Sequence, residues 1–286
     1  MSCIAGVARA KAFARSGDNG RVDTAEKPQL IALDVDGTLL STGEPISTRV
    51  RDAVRAAVAD GAHVVITTGR TLLATRLVAE ELGLDQGQAL CSNGAVQVDI
   101  SNWKPLALHT FDAEPSVAVL REVFPDMVLS VEKVGVGTWA TGYYPGSFRL
   151  GEFRFVEDHE LALEPTTRLN GWWPGGSLAD MVEVMAERSL PGAGWVHGEH
   201  EPWLVASKQG VSKGWALERL RQELGIPHEA TLAIGDGYND REMLSWAGLS
   251  VAMGNAVEPV LELADEITVD VAEDGVAVVL ERWFRN

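Results

Sequence analysis

Cysteine is nearly absent from this 286-residue chain, which has only Cys3 and Cys91, far apart. That scarcity excludes a disulfide-stapled scaffold and points to a reducing, cytoplasmic setting. Positive charge is also short: 24 lysines and arginines face 41 acidic residues, for a formal net charge of −17. Such a balance argues against nucleic acid or an anionic membrane as partner. Any phosphate site must therefore gather its cations locally. No apolar run approaches the roughly 18 residues of a membrane span, and there is no internal repeat or low-complexity tract. Residues 1–27 lack an apolar h-region and are expected to be a disordered extension rather than a signal peptide.

What is there, 46% hydrophobic and 23% charged residues, is enough to bury a sizeable core in one or two domains. Strand and helix signals alternate, the pattern of a parallel sheet. The apolar run at 30–33 reads as a buried strand. Ser47 can cap a helix that turns Val50, Val54, Ala57 and Val58 inward and closes at Gly61. Strands are expected at 63–66 and 88–91, with a Leu-, Ala- and Glu-rich helix between them. The rhythm returns with a helix from Ser212 to Leu224, then strands at 231–234, 249–252 and 267–269. Between these halves prolines, glycines and short strand-like runs dominate, with helices expected only at 114–124 and 177–187. Most of the tryptophans fall there too. The expected organisation is a discontinuous core, 28–95 and 208–286, with a separate α+β module at 96–207 inserted into it.

The sharpest signal is at the end of the first strand, where Leu33 is followed by Asp34-Val35-Asp36-Gly37-Thr38. In extended chain, residues two apart share a face, so Asp34 and Asp36 could point into one site. Two acids at the carboxyl end of a buried strand are costly unless they bind a cation or do chemistry. That end is also where open α/β sheets bind their ligands. Three more polar segments follow predicted strands or open helices: Thr68-Gly69-Arg70, Lys213, and Gly235-Asp236-Gly237-Tyr238-Asn239-Asp240. A cation in the first turn of a helix opposes the macrodipole by a few tenths to about 1 kcal/mol, and a nearby anion reverses that sign. Lys213, just after the capping Ser212, is in that position, and Arg70 after Gly69 presents the same anomaly. Singly, each segment has an ordinary reading. Thr68, Asn239 and Asp240 could be helix caps, Asn93-Gly94 a turn and Lys213 a solvated charge, while Asp34 and Asp36 lack the further acids of a calcium loop.

In this order and context the four segments resemble the motifs of the haloacid dehalogenase-like superfamily. Ser92-Asn93-Gly94-Ala95 and the tail, with Gly254-Asn255 and Glu273-Asp274-Gly275, are similar to its Cof-type Mg²⁺-dependent phosphatases. The resemblance implies an α/β fold, with a Rossmann-like parallel-sheet core and an inserted α+β cap that selects the substrate. It implies a phosphomonoesterase acting on a small phosphorylated metabolite such as a sugar phosphate. Asp34 would be the nucleophile, forming an aspartyl-phosphate, and Asp36 the group that protonates the leaving alkoxide and then activates water. Lys213 completes the catalytic set, fitting the family pattern Val-Ser-Lys-Gly better than Lys208 does. Mg²⁺ would be held by Asp34, the Asp36 backbone carbonyl, Asp236 and Asp240, the last as ligand or outer acid. Gly37, Thr68, Gly69, Arg70, Asn93 and Asn239 would receive the phosphate. A phosphomutase or phosphotransferase, or a non-catalytic sensor of a phosphorylated ligand, is the alternative on this scaffold.

The inserted module says less. Trp139, Tyr143, Tyr144, Trp172 and Trp173 could stack on a sugar or a planar ring, but are expected to form the module's own core. His197 and His200 read as part of a solvated loop, and Arg149, Arg154 and Arg168 are candidates to hold a second anionic group.

Overall fold

The computed structural model describes residues 27–41, 43–146, 150–198 and 201–285. Of the expected extension only Lys27 falls among them, and Arg149 and His200 lie outside the described residues.

The chain opens with β1 (Leu30–Leu33), α1 (Thr48–Ala59), β2 (His63–Thr67), α2 (Leu72–Leu82), β3 (Gln88–Cys91), β4 (Val96–Asp99) and β5 (Lys104–Leu108). Next come α3 (Glu114–Val123), β6 (Val128–Lys133), β7 (Gly137–Ala140), β8 (Glu152–Phe155), α4 (Asp158–Leu161) and β9 (Leu169–Trp172). They are followed by α5 (Leu178–Ala186), β10 (Ala193–His197) and β11 (Trp203–Lys208). The last stretch holds α6 (Lys213–Leu224), β12 (Thr231–Gly235), α7 (Arg241–Trp246), β13 (Leu249–Ala252), α8 (Glu258–Leu263), β14 (Glu266–Ile267) and α9 (Gly275–Leu280).

The first sheet has the order β14-β13-β12-β1-β2-β3-β4-β5, and its pairs from β14 through β3 are parallel. Alternate residues of β1 enter different cores. Ile31 and Leu33 join Val64, Ile66, Leu232 and Ile234 beneath α1, α2 and α9, while Leu30 and Ala32 join Val65 and Ala233 beneath α6, α7 and α8. Helices on both faces are why β1 reads as an unbroken apolar run. The chain leaves β1 toward β2 and later returns to β12 on the other side. The crevice between the carboxyl ends of β1 and β12 is thus the switch point where such sheets bind ligands.

The second sheet, β10-β11-β9-β6-β7-β8, is antiparallel except for β7 with β8. One face, with Leu129, Val131, Leu169, Leu204 and Ala206, packs on Val117, Leu120 and Phe124 around α3 and on Met181 and Met185 of α5. The other face turns toward the crevice.

Two expectations need correction. The first sheet does not end at residue 95: β4 and β5 extend it antiparallel to Leu108, so the passage to the second sheet comes after that residue. Ser92, Asn93 and Gly94 have φ of 49°, 56° and 89°, and this left-handed run reverses the chain beside β3. The Asn-Gly pair and the alternating Val96 and Val98 were the hairpin signals. The last strand is shorter and earlier than expected at 267–269, because only Glu266 and Ile267 pair with β13.

Candidate active site

Asp34 continues β1, donating its N–H to the Ile234 carbonyl at 3.1 Å, so its side chain stands in the crevice above the sheet. It is buried, and Lys213 Nζ donates to its Oδ1 at 2.5 Å. Lys213 is the first residue of α6, capped by the Ser212 hydroxyl, which accepts from the Trp215 N–H at 3.2 Å. The lysine is fully buried, and its ammonium also donates to Asp240 Oδ1 at 2.6 Å. Burial opposes the lysine's charge, but Asp240 and Asp34 outweigh it and hold the pKa above the ordinary lysine value. For Asp34 the balance runs the other way. Burial, then the Asp240 charge, push its carboxyl up to about 7 despite the Lys213 ammonium.

Asp236 and Asp240 follow β12. The Asp240 Oδ2 accepts the N–H groups of Asp236 and Gly237 at 2.9 and 3.0 Å, which fixes the turn and commits both of its oxygens. Asp236 Oδ1 accepts from the Thr38 hydroxyl at 2.7 Å, and Asn255 Nδ2 donates to the Gly37 carbonyl at 2.8 Å. Gly37 has φ +85°, and a Cβ there would sit 2.0 Å from Asp236 Oδ2. This glycine therefore lets the loop after β1 close onto Asp236, a reason beyond the close approach to phosphate expected of it. One carboxylate oxygen each from Asp34, Asp236 and Asp240 lies within 4.8 Å of the others. Converging carboxylate oxygens in a buried pocket fit a hard divalent cation such as Mg²⁺.

The Asp36 carboxylate is not in that group. It is half-exposed and accepts two hydrogen bonds from Arg70, from Nε at 2.8 Å and from Nη2 at 2.5 Å. Arg70 is held by a turn in which the Thr68 hydroxyl accepts from the Arg70 N–H at 3.1 Å. The Thr68 carbonyl accepts from the Asn93 N–H at 2.9 Å, and Asn93 Oδ1 accepts from Asn239 Nδ2 at 3.0 Å. A side chain at Gly69 would press on both asparagines, 3.2 Å from Asn93 Oδ1 and 3.4 Å from Asn239 Nδ2. Asp34, Asp36, Gly69, Arg70, Asn93 and Asn239 thus floor a cleft of about 700 Å³; Gly37, Thr68, Lys213, Asp236 and Asp240 do not line it and join it through the hydrogen bonds and contacts above.

The second sheet roofs this cleft with Arg168, His197, Trp203 and Val205. His197 is therefore not in a solvated loop. It lies on β10, with its ring 4.7 Å from the Tyr238 ring of the floor. Trp173 packs at 4.8 Å on Phe124 in the module's own core, and Trp139 lies under the Arg154 guanidinium at 4.8 Å. Sequence reasoning quoted Asn255 without a role and missed Glu132. From β6, Glu132 crosses to the first domain, where its Oε1 accepts the Leu72 N–H at 3.1 Å and its Oε2 the Ser92 hydroxyl at 2.5 Å. Its place in the otherwise apolar-alternating stretch Val128–Lys133 was the available signal.

Comparison with known proteins follows the same lines. The sequence model of the family described as haloacid dehalogenase-like hydrolase matches residues 31–129 and 195–280. A Bacillus subtilis protein named 5-amino-6-(5-phospho-D-ribitylamino)uracil phosphatase YcsE is 34% identical over 89% of this chain and 95% of its own. Phosphatase YwpJ of the same organism is 27% identical, over 88% of this chain and 99% of its own. A haloacid dehalogenase-like hydrolase from Bacteroides thetaiotaomicron superposes with a TM-score of 0.77 at 27% identity, covering 90% of this chain and all of its own. Fold, motif order and these matches agree, and the chain belongs to the haloacid dehalogenase-like hydrolases, in their Cof-type branch.

Proposed function

We propose that the protein is a Mg²⁺-dependent phosphomonoesterase that hydrolyses a small phosphorylated metabolite through an aspartyl-phosphate on Asp34. The observation that carries this reading is the buried Asp34 carboxylate, held by Lys213 at 2.5 Å at the floor of a cleft with two further acids beside it. Lys213 occupies one oxygen of Asp34, and the other accepts no hydrogen bond among the described residues. That oxygen is the one available to attack phosphorus. Named phosphatases among the relatives, one of them for a phosphorylated ribitylaminouracil, support a small phosphate ester as substrate. The scarcity of cysteine supports a cytoplasmic setting.

Each step has a residue suited to it. The phosphate dianion entering over Gly69 competes with Asp36 for the Arg70 guanidinium, drawing Arg70 onto the phosphoryl oxygens. The Asn93 and Asn239 amides orient the group, and Asp34 attacks phosphorus as the bond to the ester oxygen breaks. Asp36, carrying a proton, delivers it to the leaving alkoxide. As a carboxylate it then takes a proton from water, whose oxygen attacks the phosphorus of the acyl phosphate and releases Asp34 and inorganic phosphate. Mg²⁺ held by Asp34, Asp236 and the Asp36 carbonyl, with Asp240 orienting the loop, would neutralise charge on the phosphoryl oxygens.

The test is phosphate release from a panel of small phosphate esters, with Mg²⁺ or EDTA, by wild type and Asp34→Asn. Metal-dependent release lost in the variant supports the reading. Release that survives the substitution removes Asp34 as nucleophile, and turnover without inorganic phosphate favours a mutase.

A further inference from the structure

The middle of the second sheet, at β6 and β9, is buried on both faces. Because side chains alternate along a strand, the face opposite Leu129, Val131 and Leu169 carries Ser130, Glu132 and Asn170. The face of an antiparallel sheet away from its helices ordinarily holds solvated polar residues. Here Ser130, Glu132 and Asn170 are only 1%, 5% and 7% exposed, because this face lies against the first domain as the roof of the cleft. Buried polar groups need partners, and three of these residues find them in protein. Asn170 Nδ2 donates to the Ser130 hydroxyl at 3.3 Å, and Glu132 is taken up by Leu72 and Ser92.

Arg168 is the exception. It enters β9 beside Glu132, whose N–H donates to the Arg168 carbonyl at 3.4 Å, and it lines the cleft over Asp34 and Asp36. Its Nε donates to Asn170 Oδ1 at 2.6 Å, which orients the guanidinium plane. The terminal Nη groups, four of the five N–H donors of an arginine, have no protein acceptor among the described residues. No described carboxylate forms an ion pair with them, although the chain has 41 acids for 24 bases. The other cleft arginine, Arg70, is neutralised by Asp36, and Arg121 and Arg154 have Asp158 and Glu152. Burial pushes the Arg168 pKa below the usual arginine value, with the Glu132 charge opposing the change only in part. An oriented, partly desolvated fork with no carboxylate in ion-pair contact among the described residues is built to receive a planar or tetrahedral oxyanion in bidentate fashion. Trp203 and Val205 beside it offer apolar surface for a carbon skeleton.

We propose that Arg168, oriented by Asn170, binds a second oxyanion on the substrate, a carboxylate or a second phosphate on the portion that departs as the alcohol. The proposal deepens the phosphatase reading and rests on it. The substrate class is then a phosphate ester that bears another acid group, rather than a neutral sugar monophosphate.

Matched ester pairs test this: glycerol phosphate against phosphoglycerate, and fructose monophosphate against fructose bisphosphate. Wild type is expected to prefer the doubly anionic member of at least one pair about 10-fold or more in kcat/KM. The pair that shows the preference tells carboxylate from phosphate. In Arg168→Gln the ratio within that pair should fall about 10- to 100-fold, and Arg168→Lys should keep part of it. Each variant is normalised to its own rate on the simpler ester, so partial unfolding cancels, and Arg168→Lys serves if the glutamine variant does not fold. Equal rates within both pairs, or a preference that survives in Arg168→Gln, overturn the subsite while leaving the phosphatase reading intact. Phosphate release from no ester at all overturns both.

Discussion

Replacing Lys213 by methionine keeps the length of the side chain and removes its charge. The ammonium is fully buried and donates to Asp34 at 2.5 Å and to Asp240 at 2.6 Å, so the variant leaves two buried carboxylates facing each other without a cation. Removing one partner of a buried ionic cluster costs about 3–5 kcal/mol, the loss expected near pH 8 in EDTA. The loss should shrink in acid, and the sign follows from Asp34. Its native pKa of about 7 is above the unfolded 3.8, so the native state binds the extra proton and stability falls as pH rises through the native value. Going from about pH 8 to about pH 6, a group with pKa near 7 adds about 1.4 kcal/mol, and one with a pKa well above 8 adds about 2.7. Without its ammonium Asp34 moves from the first case toward the second, so the gap to wild type narrows by about 1 kcal/mol. Mg²⁺ should also raise the midpoint of the variant more than that of wild type, since the cation replaces the missing ammonium. Urea unfolding at both pH values, with and without Mg²⁺, reads all three effects. A variant within about 1 kcal/mol of wild type near pH 8 in EDTA would refute the reasoning, because the acids would then need no buried cation.

Mg²⁺ binding should require Asp34 as carboxylate, so affinity measured by calorimetry stays level above about pH 8 and drops about 10-fold per unit below pH 7. Affinity independent of pH across that window would contradict the pKa of about 7 assigned to Asp34. Gly37→Ala brings a methyl to 2.0 Å from Asp236 Oδ2 at a φ of +85°. A stability loss of about 1–3 kcal/mol is expected in urea, together with weaker Mg²⁺ binding. Glu132→Ala deprives the Leu72 N–H and the Ser92 hydroxyl of their acceptor, and should cost about 2–3 kcal/mol. A loss below about 0.5 kcal/mol would mean that water replaces the carboxylate without penalty.

Much of the first domain was legible because its signals are local. The apolar run ending in Asp34, the Ser47 cap of α1 and the Ser212 cap before Lys213 each declare themselves within a few residues. That Lys213 and Asp34, 179 positions apart, could converge on one edge was legible in the order of strands and helices, and the place of Lys213 in the site came from the family resemblance. The hairpin β4–β5 was hidden by a change in composition at Ala95 that proved not to be a change of sheet. In the second domain, alternation marks which residues share a face but not which face is covered. Glu132 and His197 acquired meaning, and Arg168 stood out from the other candidate arginines, only when that sheet was laid over the crevice. Glu132 meets Leu72 and Ser92, and His197 meets Tyr238, all distant in sequence.

The covalent intermediate is the central claim, and it can be caught directly. The enzyme with Mg²⁺ and a turned-over ester, quenched in acid within its first turnovers and reduced with borohydride, should yield homoserine in place of aspartate at position 34. The peptide carrying Asp36 should be unchanged. Unmodified Asp34 under conditions of rapid phosphate release, or label at another residue, would contradict the account.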